Sequence, residues 1–310
     1  MSSRKEMRRV YSDFLREEGQ KNPHIVALEA DLSSSMATDS LADVLGKRYI
    51  NVGIMEQEMV GVAAGLSLLG FRPYLHTFGP FATRRVFDQL FISLAYANLG
   101  ATIIGSDAGV SAEMNGGTHM PFEDIGLMRL IPRSTVFEVS DDLQFASILK
   151  QTLHLSGLTY IRTIRKQAVA LYDGNEDFSQ GYIQLKAGSD LTLLASGIMV
   201  AKALEAAREL EREGYQVAVV DVFRLKPLNP ELRQLVQGRP VITVENHNRI
   251  GGLGSSTCEL LAEDSNSPVY RLGVDEAFGQ VGTMDYLLTQ YGLTVEDIVV
   301  KVKAVLTPAL

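Results

Sequence analysis

Short apolar runs alternate with longer amphipathic stretches along most of this sequence. Runs such as HIVALEADL and RPYLHTF have the length and the β-branched or aromatic content of buried strands. Strands are predicted over 24–32, 49–53, 72–78, 101–107, 134–140, 158–164, 191–196, 217–222, 241–246 and 268–274. Helices are predicted over 4–19, 56–70, 81–100, 141–154, 198–213, 229–236, 251–264 and 294–306. This alternation predicts the α/β class, with mostly parallel sheets flanked by helices.

A polar segment divides the pattern into two parts. Residues 171–188 are rich in polar residues and glycine and lack a helical period, so they are predicted to be a linker. A chain of 310 residues is too long for most single hydrophobic cores. The sequence therefore predicts a first domain over 1–170 and a smaller α/β domain over 189–310.

Charge and composition exclude several classes of protein. A net charge of −8 argues against nucleic-acid binding, and no apolar run approaches the length of a membrane-spanning helix. The N-terminal residues have no secretory signal, and the one cysteine, Cys258, permits no internal disulfide. The scattered histidines predict no metal site formed by this chain alone. A cytoplasmic protein fits these features.

Two acidic residues begin the segment NVGIMEQEMVGVAAG. Glu56 and Glu58 precede a run of small apolar residues, and no lysine or arginine lies within two helical turns of either. At least one carboxylate is therefore expected to be shielded from water, where an unpaired charge is costly. Acids are also common at helix starts, where the macrodipole favours them. The pattern alone does not choose between these interpretations, or between the two glutamates.

Three other features contain residues suited to chemistry. The loop 114–124, MNGGTHMPFED, places His119 after a strand, where α/β sheets bind ligands, although the residues alone favour a hydrogen-bonded structural histidine. Phe78 and Phe81 flank a Gly-Pro turn and could stack on a planar ring or fill the core. GGLGS at 251–255 lacks the spacing of a phosphate-binding loop, so we interpret it as a tight turn into a helix.

The order of these motifs resembles the transketolase family. ADLSSS, NVGIMEQEM, LHTF, GGTHMPFED and IRTIRK follow one another as in that family, and the resemblance covers nearly the whole chain. It implies a pyrimidine-binding domain followed by the transketolase C-terminal domain, and a transferase that uses thiamine diphosphate. The C-terminal domain contributes no catalytic group in the family, so a structural role is implied for it here.

The resemblance also implies roles for single residues. Glu56 matches the glutamate that hydrogen-bonds the pyrimidine ring of the cofactor and so activates it, which leaves Glu58 a supporting or interface residue. Asp31, Phe78, Phe81 and Arg84 are implied to lie beside the cofactor. His119 matches a catalytic histidine that faces the substrate. Groups that hold a sugar phosphate are implied at three positions: Arg4, Ser35 and Arg165.

Two positions depart from the family pattern. Asn115 stands where an aspartate usually reads a substrate hydroxyl. Asp107 stands near the expected place of a phosphate-contacting histidine, and a negative charge beside a phosphate is unfavourable. These departures predict a specificity different from that of common transketolase, for an unusual ketose phosphate or another acceptor.

The family's GDG motif, which with a downstream asparagine holds Mg²⁺ and the cofactor diphosphate, is missing from the sequence. We therefore expect a split transketolase of carbohydrate metabolism, in which a separate N-terminal subunit holds the metal and the diphosphate. An α₂β₂ heterotetramer would bind sugar phosphates at the subunit interface. The related alternatives are the β subunit of a 2-oxo-acid dehydrogenase, a deoxyxylulose-phosphate-synthase-like enzyme, and a scaffold that has lost activity.

Overall fold

A computed structural model describes residues 4–263 and 266–307. The chain divides into two compact units: unit 1 contains the residues up to Ala108 and Leu127–Glu176, and unit 2 contains Gly109–Gly126 and the residues from Asp177 onward. The outer ends of the two predicted domains, 1–3 and 308–310, lie outside the described residues. The predicted partition does not anticipate that Gly109–Gly126 belongs with the C-terminal residues.

Unit 1 is built on a parallel sheet. Its strands are β1 (Ile25–Glu29), β2 (Tyr49–Asn51), β3 (Arg72–Phe78), β4 (Ala101–Ser106), β5 (Thr135–Glu138) and β6 (Leu158–Arg162). They lie in the order β5-β6-β4-β3-β1-β2, with every pairing parallel. Strands β1, β4 and β6 are buried along their whole length. The apolar runs of the sequence therefore form the centre of the sheet, as predicted.

The helices up to residue 152 are α1 (Met7–Lys21), α2 (Ser33–Met36), α3 (Ala42–Leu45), α4 (Glu56–Leu68), α5 (Gly79–Ala82), α6 (Phe87–Gln89), α7 (Asp124–Leu130) and α8 (Asp142–Thr152). The helix predicted over 81–100 is wrong as a single element. It divides into the end of α5, a 3-10 turn at Arg84–Val86, α6 and a π-helical segment at Leu90–Tyr96. An apolar pattern cannot distinguish these helical forms, since all of them bury one face.

Unit 2 contains a second, mixed sheet. Its strands are β7 (Tyr182–Lys186), β8 (Leu191–Ala195), β9 (Val217–Val222), β11 (Val241–Asn248) and β12 (Val269–Val274), with a short β10 at Arg224–Lys226 along the chain. The sheet order is β12-β11-β8-β9-β7, and only β7 pairs antiparallel. The predicted linker over 171–188 is thus partly wrong, because β7 is an edge strand too exposed to show a buried run.

The helices of unit 2 cover this sheet. They are α9 (Met199–Arg212), α10 (Leu232–Val236), α11 (Leu253–Leu261), α12 (Met284–Gln290) and α13 (Val295–Leu306). Thr294 and Asp297 form a reciprocal capping box that fixes the start of α13. Within the described ranges, no helix is both long and apolar enough to cross a membrane. The α/β class and the two mostly parallel sheets agree with the sequence prediction.

Candidate active site

The predicted site residues of unit 1 follow the ends of its strands. Asp31 comes after β1, Glu56 after β2, Phe78 ends β3, Asp107 follows β4 and Arg165 follows β6. Because these strands are parallel, their carboxyl ends meet at one edge of the sheet, where α/β proteins bind ligands. Residues spread over more than 130 positions of sequence are therefore brought to one side of unit 1.

The structure distinguishes the two glutamates of α4. Glu56 is 5% exposed, whereas Glu58 is exposed to solvent. The Glu56 carboxylate accepts a hydrogen bond from Arg85, with an Nη1–Oε1 distance of 2.7 Å. The expectation of a carboxylate without a basic partner is therefore wrong, because Arg85 reaches it from 29 positions away. The local sequence could not reveal this pair.

Two phenylalanine rings, Phe81 and Phe78, lie next to this ion pair. The guanidinium carbon of Arg85 lies 3.8 Å from the ring centre of Phe81, a cation–π distance. The rings of Phe81 and Phe78 are 6.1 Å apart with an interplanar angle of 43°. Arg165 lies over the other ring, 5.1 Å from the centre of Phe78. Glu56, the two phenylalanines and the two arginines thus form one connected row.

Asp107 ends this row. It is 2% exposed and accepts a hydrogen bond from Nε of Arg165 at 2.7 Å. Its backbone φ of +61° lies in the left-handed region, which residues other than glycine rarely occupy. The Asp107 carboxylate therefore partly neutralises Arg165, the arginine expected to hold a substrate anion.

Asp31 lies on a separate turn after β1. It is exposed and has a φ of +61°. The side-chain oxygen of Asn51 accepts hydrogen bonds from the backbone N–H groups of Asp31 and Gly53, at 3.1 and 3.0 Å. Asn51, which sequence reasoning missed, thus links the turn that carries Asp31 to the segment that leads into Glu56. The available signal in the sequence was an asparagine two residues before a glycine, because an asparagine side chain often accepts a hydrogen bond from the backbone two residues on.

The other predicted residues of unit 1 lie elsewhere or in other contacts. The Arg4 guanidinium donates hydrogen bonds to Asp142 at 2.6 Å and Asp141 at 3.0 Å, and also to the carbonyl of Tyr172. The hydrogen bond to Asp142 raises the pKa of Arg4 above its ordinary value. Ser35 is half-buried in α2, and Arg84 is exposed on its 3-10 turn.

A fully buried polar row supports the strand ends. Nδ1 of His76 lies 3.1 Å from Glu29, and its Nε2 lies 3.0 Å from Ser106. Glu29 also accepts a hydrogen bond from Thr38 at 2.6 Å. These residues join β1, β3 and β4 just before Asp31, Phe78 and Asp107. Satisfied buried networks specify one arrangement of a core, so this row fixes the register of the site residues. The sequence signal was a polar residue near the end of each apolar strand.

His119 and Asn115 belong to unit 2. His119 is half-buried, with Nδ1 2.8 Å from the Thr118 hydroxyl, and its backbone N–H donates to Gly116. Asn115 is exposed at the end of a 3-10 segment, Gly109–Asn115. The two residues are thus held on one short, glycine-containing segment.

In the GGLGS motif of unit 2, the backbone N–H groups bind a side chain of this same chain. The Glu245 carboxylate accepts hydrogen bonds from the backbone N–H groups of Leu253 and Gly254, at 2.7 and 2.9 Å. A Cβ on Gly252 would lie 1.9 Å from Oε2 of Glu245. The N-terminus of α11 thus binds an internal carboxylate where it could otherwise bind a phosphate. The interpretation as a tight turn into a helix agrees with this structure.

No cluster of three or more His, Cys, Asp or Glu side chains in the described part of the chain could hold a metal ion. The candidate site of unit 1 consists of two buried acids, two aromatic rings and the two arginines that pair with the acids. Such a set suits a planar, nitrogen-containing ring and an anionic group.

Comparison with known proteins identifies the family. Residues 3–169 match the model of the transketolase pyrimidine binding domain, and residues 181–298 match the transketolase C-terminal domain. The chain therefore belongs to the transketolase family.

Three similar proteins extend this result. The 6-deoxy-6-sulfo-D-fructose transketolase subunit SqwH of Clostridium sp. (strain MSTE9) is 44% identical over 94% of this chain and 92% of its own length. A putative transketolase C-terminal section of Methanocaldococcus jannaschii is 34% identical, over 95% and 94%. A solved structure described as a split gene transketolase, inactive beta4 tetramer, aligns with a TM-score of 0.87 and 40% identity, over 97% and 98%. The expected resemblance to a split transketolase is confirmed.

Proposed function

We propose that this chain is the C-terminal subunit of a split transketolase and transfers a two-carbon ketol unit between sugar derivatives. The observation that carries the proposal is Glu56, a buried acid at the start of α4 that is joined through Arg85 to the Phe78–Phe81 pair. A buried carboxyl group can share a proton with a ring nitrogen of an aminopyrimidine, and neighbouring aromatic rings can stack on it. The residues of unit 1 therefore fit thiamine diphosphate.

The residues of this chain then have distinct roles toward the cofactor. Thiamine diphosphate, when bound, supplies the thiazolium carbon that carries the two-carbon unit. Glu56 holds the proton shared with a pyrimidine ring nitrogen at its carboxylate oxygen. Phe78 and Phe81 orient the ring by contact with its faces, and the row from Glu29 to Ser106 keeps Phe78 in register. Asp31 and Arg84 are proposed to lie beside the cofactor.

Five residues are proposed to contact the substrate. His119 gives or takes a proton at a substrate oxygen, since an imidazole exchanges protons near neutral pH. Asn115 reads a substrate hydroxyl. Arg165 and Ser35 hold the terminal anion of the sugar. Arg4 contributes less to this binding, because Asp141 and Asp142 already compensate its charge.

A sulfonated ketose is a second candidate substrate beside a ketose phosphate. The Asp107–Arg165 pair favours it, because the Asp107 carboxylate reduces the positive charge available to a substrate anion. A sulfonate carries one negative charge, whereas a phosphate monoester carries about two at neutral pH. Repulsion from Asp107 is therefore smaller for the sulfonate. The 44% identical relative, described as a 6-deoxy-6-sulfo-D-fructose transketolase subunit, supports the same candidate.

A separate N-terminal subunit is proposed to hold Mg²⁺ and the cofactor diphosphate. Two exposed apolar residues directly precede Glu56: Ile54 is 73% exposed and Met55 53%. Large apolar side chains exposed together mark surfaces that bind other proteins. This surface is proposed to contact the partner, in a heterotetramer.

Mixing the two chains tests the proposal. We expect the purified chain to show no thiamine-dependent ketol transfer by itself. Adding a subunit that carries the GDG motif should restore transfer from 6-deoxy-6-sulfofructose or fructose 6-phosphate to an aldose acceptor. Full turnover by the isolated chain would contradict the two-subunit proposal, and no turnover by the reconstituted pair on either ketose would contradict the proposed reaction.

A further inference from the structure

The segment Gly109–Gly126 follows β4 along the chain, yet it belongs to unit 2. It contains Asn115 and His119, the residues proposed to contact substrate. The family resemblance implied no catalytic group in the C-terminal domain and a structural role for it. If unit 2 holds this segment in place, the C-terminal domain influences the reaction through Asn115 and His119.

Asn246 on β11 anchors the start of the segment. Asn246 is fully buried, and its side-chain oxygen accepts a hydrogen bond from the backbone N–H of Val110 at 3.0 Å. Gly109 has a φ of +48°, and a Cβ there would lie 2.2 Å from that same oxygen. Only glycine fits beside Asn246, so the Asn246 side chain can approach the backbone at Gly109 closely enough to bond Val110.

Other contacts within unit 2 anchor the middle and the end of the segment. A Cβ on Gly117 would lie 2.3 Å from the carbonyl oxygen of Gly279, so the two backbones touch. The backbone N–H of Asn248 donates to the carbonyl of Phe122 at 2.9 Å. The Phe122 ring meets that of Tyr291 edge to face, with centres 5.1 Å apart. The segment is thus fixed along its length.

The residues that anchor the segment differ from those proposed to face the substrate. Val110, Met120 and Phe122 are buried, whereas Asn115 is exposed and His119 is half-buried. Packing therefore holds the backbone while leaving the polar groups accessible.

We infer that Asn246 is a positioning residue for the substrate-binding segment, so that the C-terminal unit sets the placement of Asn115 and His119. This inference rests on the proposed function, because it concerns the same substrate site. Small displacements of a binding group reduce turnover strongly, so loosening Val110 should be measurable in the kinetics.

The test compares variants in the complex with the N-terminal subunit. Asn246→Ala removes the acceptor, and Asn246→Asp retains an acceptor oxygen. Ser267→Ala is the matched control, since the buried Ser267 hydroxyl donates to the carbonyl of Val236 at 2.7 Å, in the same unit but outside the segment. The measurements are KM and kcat for the ketose, the rate of hydrogen–deuterium exchange at the Val110 amide, and the rate of exchange at C2 of the bound cofactor.

For Asn246→Ala we expect kcat/KM to fall by about 10- to 100-fold, as displaced site residues do elsewhere. The Val110 amide should exchange at least about tenfold faster, because it loses its acceptor. Cofactor C2 exchange should stay at the wild-type rate, because Glu56 belongs to unit 1. Asn246→Asp should recover part of kcat/KM, and Ser267→Ala should retain it.

Three results would overturn the inference: wild-type kcat/KM in Asn246→Ala, an equal loss in Ser267→Ala, or a Val110 amide that is unprotected in the wild-type chain. The last of these needs no variant and so applies even if Asn246→Ala does not fold. If the wild-type complex exchanges cofactor C2 but transfers no ketol unit, the proposed function fails. The Val110 exchange then still reports separately on the anchoring.

Discussion

Two buried glutamates, Glu56 at the start of α4 and Glu245 on β11 beside the start of α11, are held in different ways. Glu245 is completely buried, and its carboxylate is bound by two backbone N–H groups of α11. Glu56 is 5% exposed and is held by Arg85, a side chain that is itself 42% exposed.

We propose that this difference distinguishes a structural acid from an acid available for chemistry. Backbone donors at a helix start are fixed, so Glu245 is locked in place and stabilises α11. Because Arg85 is partly exposed, the Glu56 carboxylate is proposed to exchange this partner for a ligand. Asp107 belongs with Glu56 in this respect, since Arg165 holds it. Four substitutions test the distinction.

The largest effect is expected for Glu56→Gln. The amide cannot hold the shared proton, so ketol transfer by the reconstituted pair should fall by about 10²- to 10⁴-fold, the usual contribution of a general acid–base group. Steady-state turnover at saturating thiamine diphosphate measures this. Glu58→Gln is the matched control, because Glu58 is exposed on the same helix turn. Equal activities of the two variants would contradict the role of Glu56.

Glu245→Gln should act on stability. The amide can accept only one of the two N–H bonds well, so the free energy of unfolding should fall by about 1–3 kcal/mol. Urea unfolding of the chain followed by circular dichroism measures it. Glu56→Gln should change the same quantity by less than about 1 kcal/mol, since an exposed arginine contributes little. A larger loss from Glu56→Gln than from Glu245→Gln would invert the distinction.

Asp107→Asn should change substrate preference. Without the carboxylate charge, Arg165 should bind a doubly charged anion better. The ratio of kcat/KM for fructose 6-phosphate to that for 6-deoxy-6-sulfofructose should therefore rise about tenfold, or about 1.4 kcal/mol, in line with a screened unit charge. Because asparagine has nearly the same volume as aspartate, this variant tests the effect of the charge. A constant ratio would remove Asp107 from specificity.

The smallest effect is expected for Arg85→Lys. Lysine keeps the charge beside Glu56 but loses the planar contact with Phe81, so turnover should fall only severalfold. The apparent KM for thiamine diphosphate should rise with it, because the aromatic pair loses support. An unchanged KM would show that Arg85 does not organise the cofactor side of the site.

The sequence predicted those elements whose signal is local. RPYLHTF corresponds residue for residue to β3, because a short buried run between turns fits a strand. Helix α4 begins at Glu56 as predicted, with Val60 and Ala63 on its buried face. The family resemblance, from the order of motifs, selected Glu56 over Glu58, and burial separates the two in the same way.

Long-range features could not be predicted in this way. Arg85 meets Glu56 only because the 3-10 turn Arg84–Val86 lies beside α4, and no local pattern predicts that approach. The row of Glu29, His76 and Ser106 depends on strand register, which the sequence of one strand does not specify. The attachment of Gly109–Gly126 to unit 2 depends on glycine contacts between distant backbones.

Exchange of the C2 proton of thiamine diphosphate, followed by NMR in deuterium oxide, tests the central claim most directly. The claim is that Glu56 activates a cofactor held with the help of a second chain. We predict fast exchange only when both subunits are present, and a fall of about 10²-fold or more with Glu56→Gln in the complex. Fast exchange by this chain alone, or an unchanged rate with Glu56→Gln, would contradict the account.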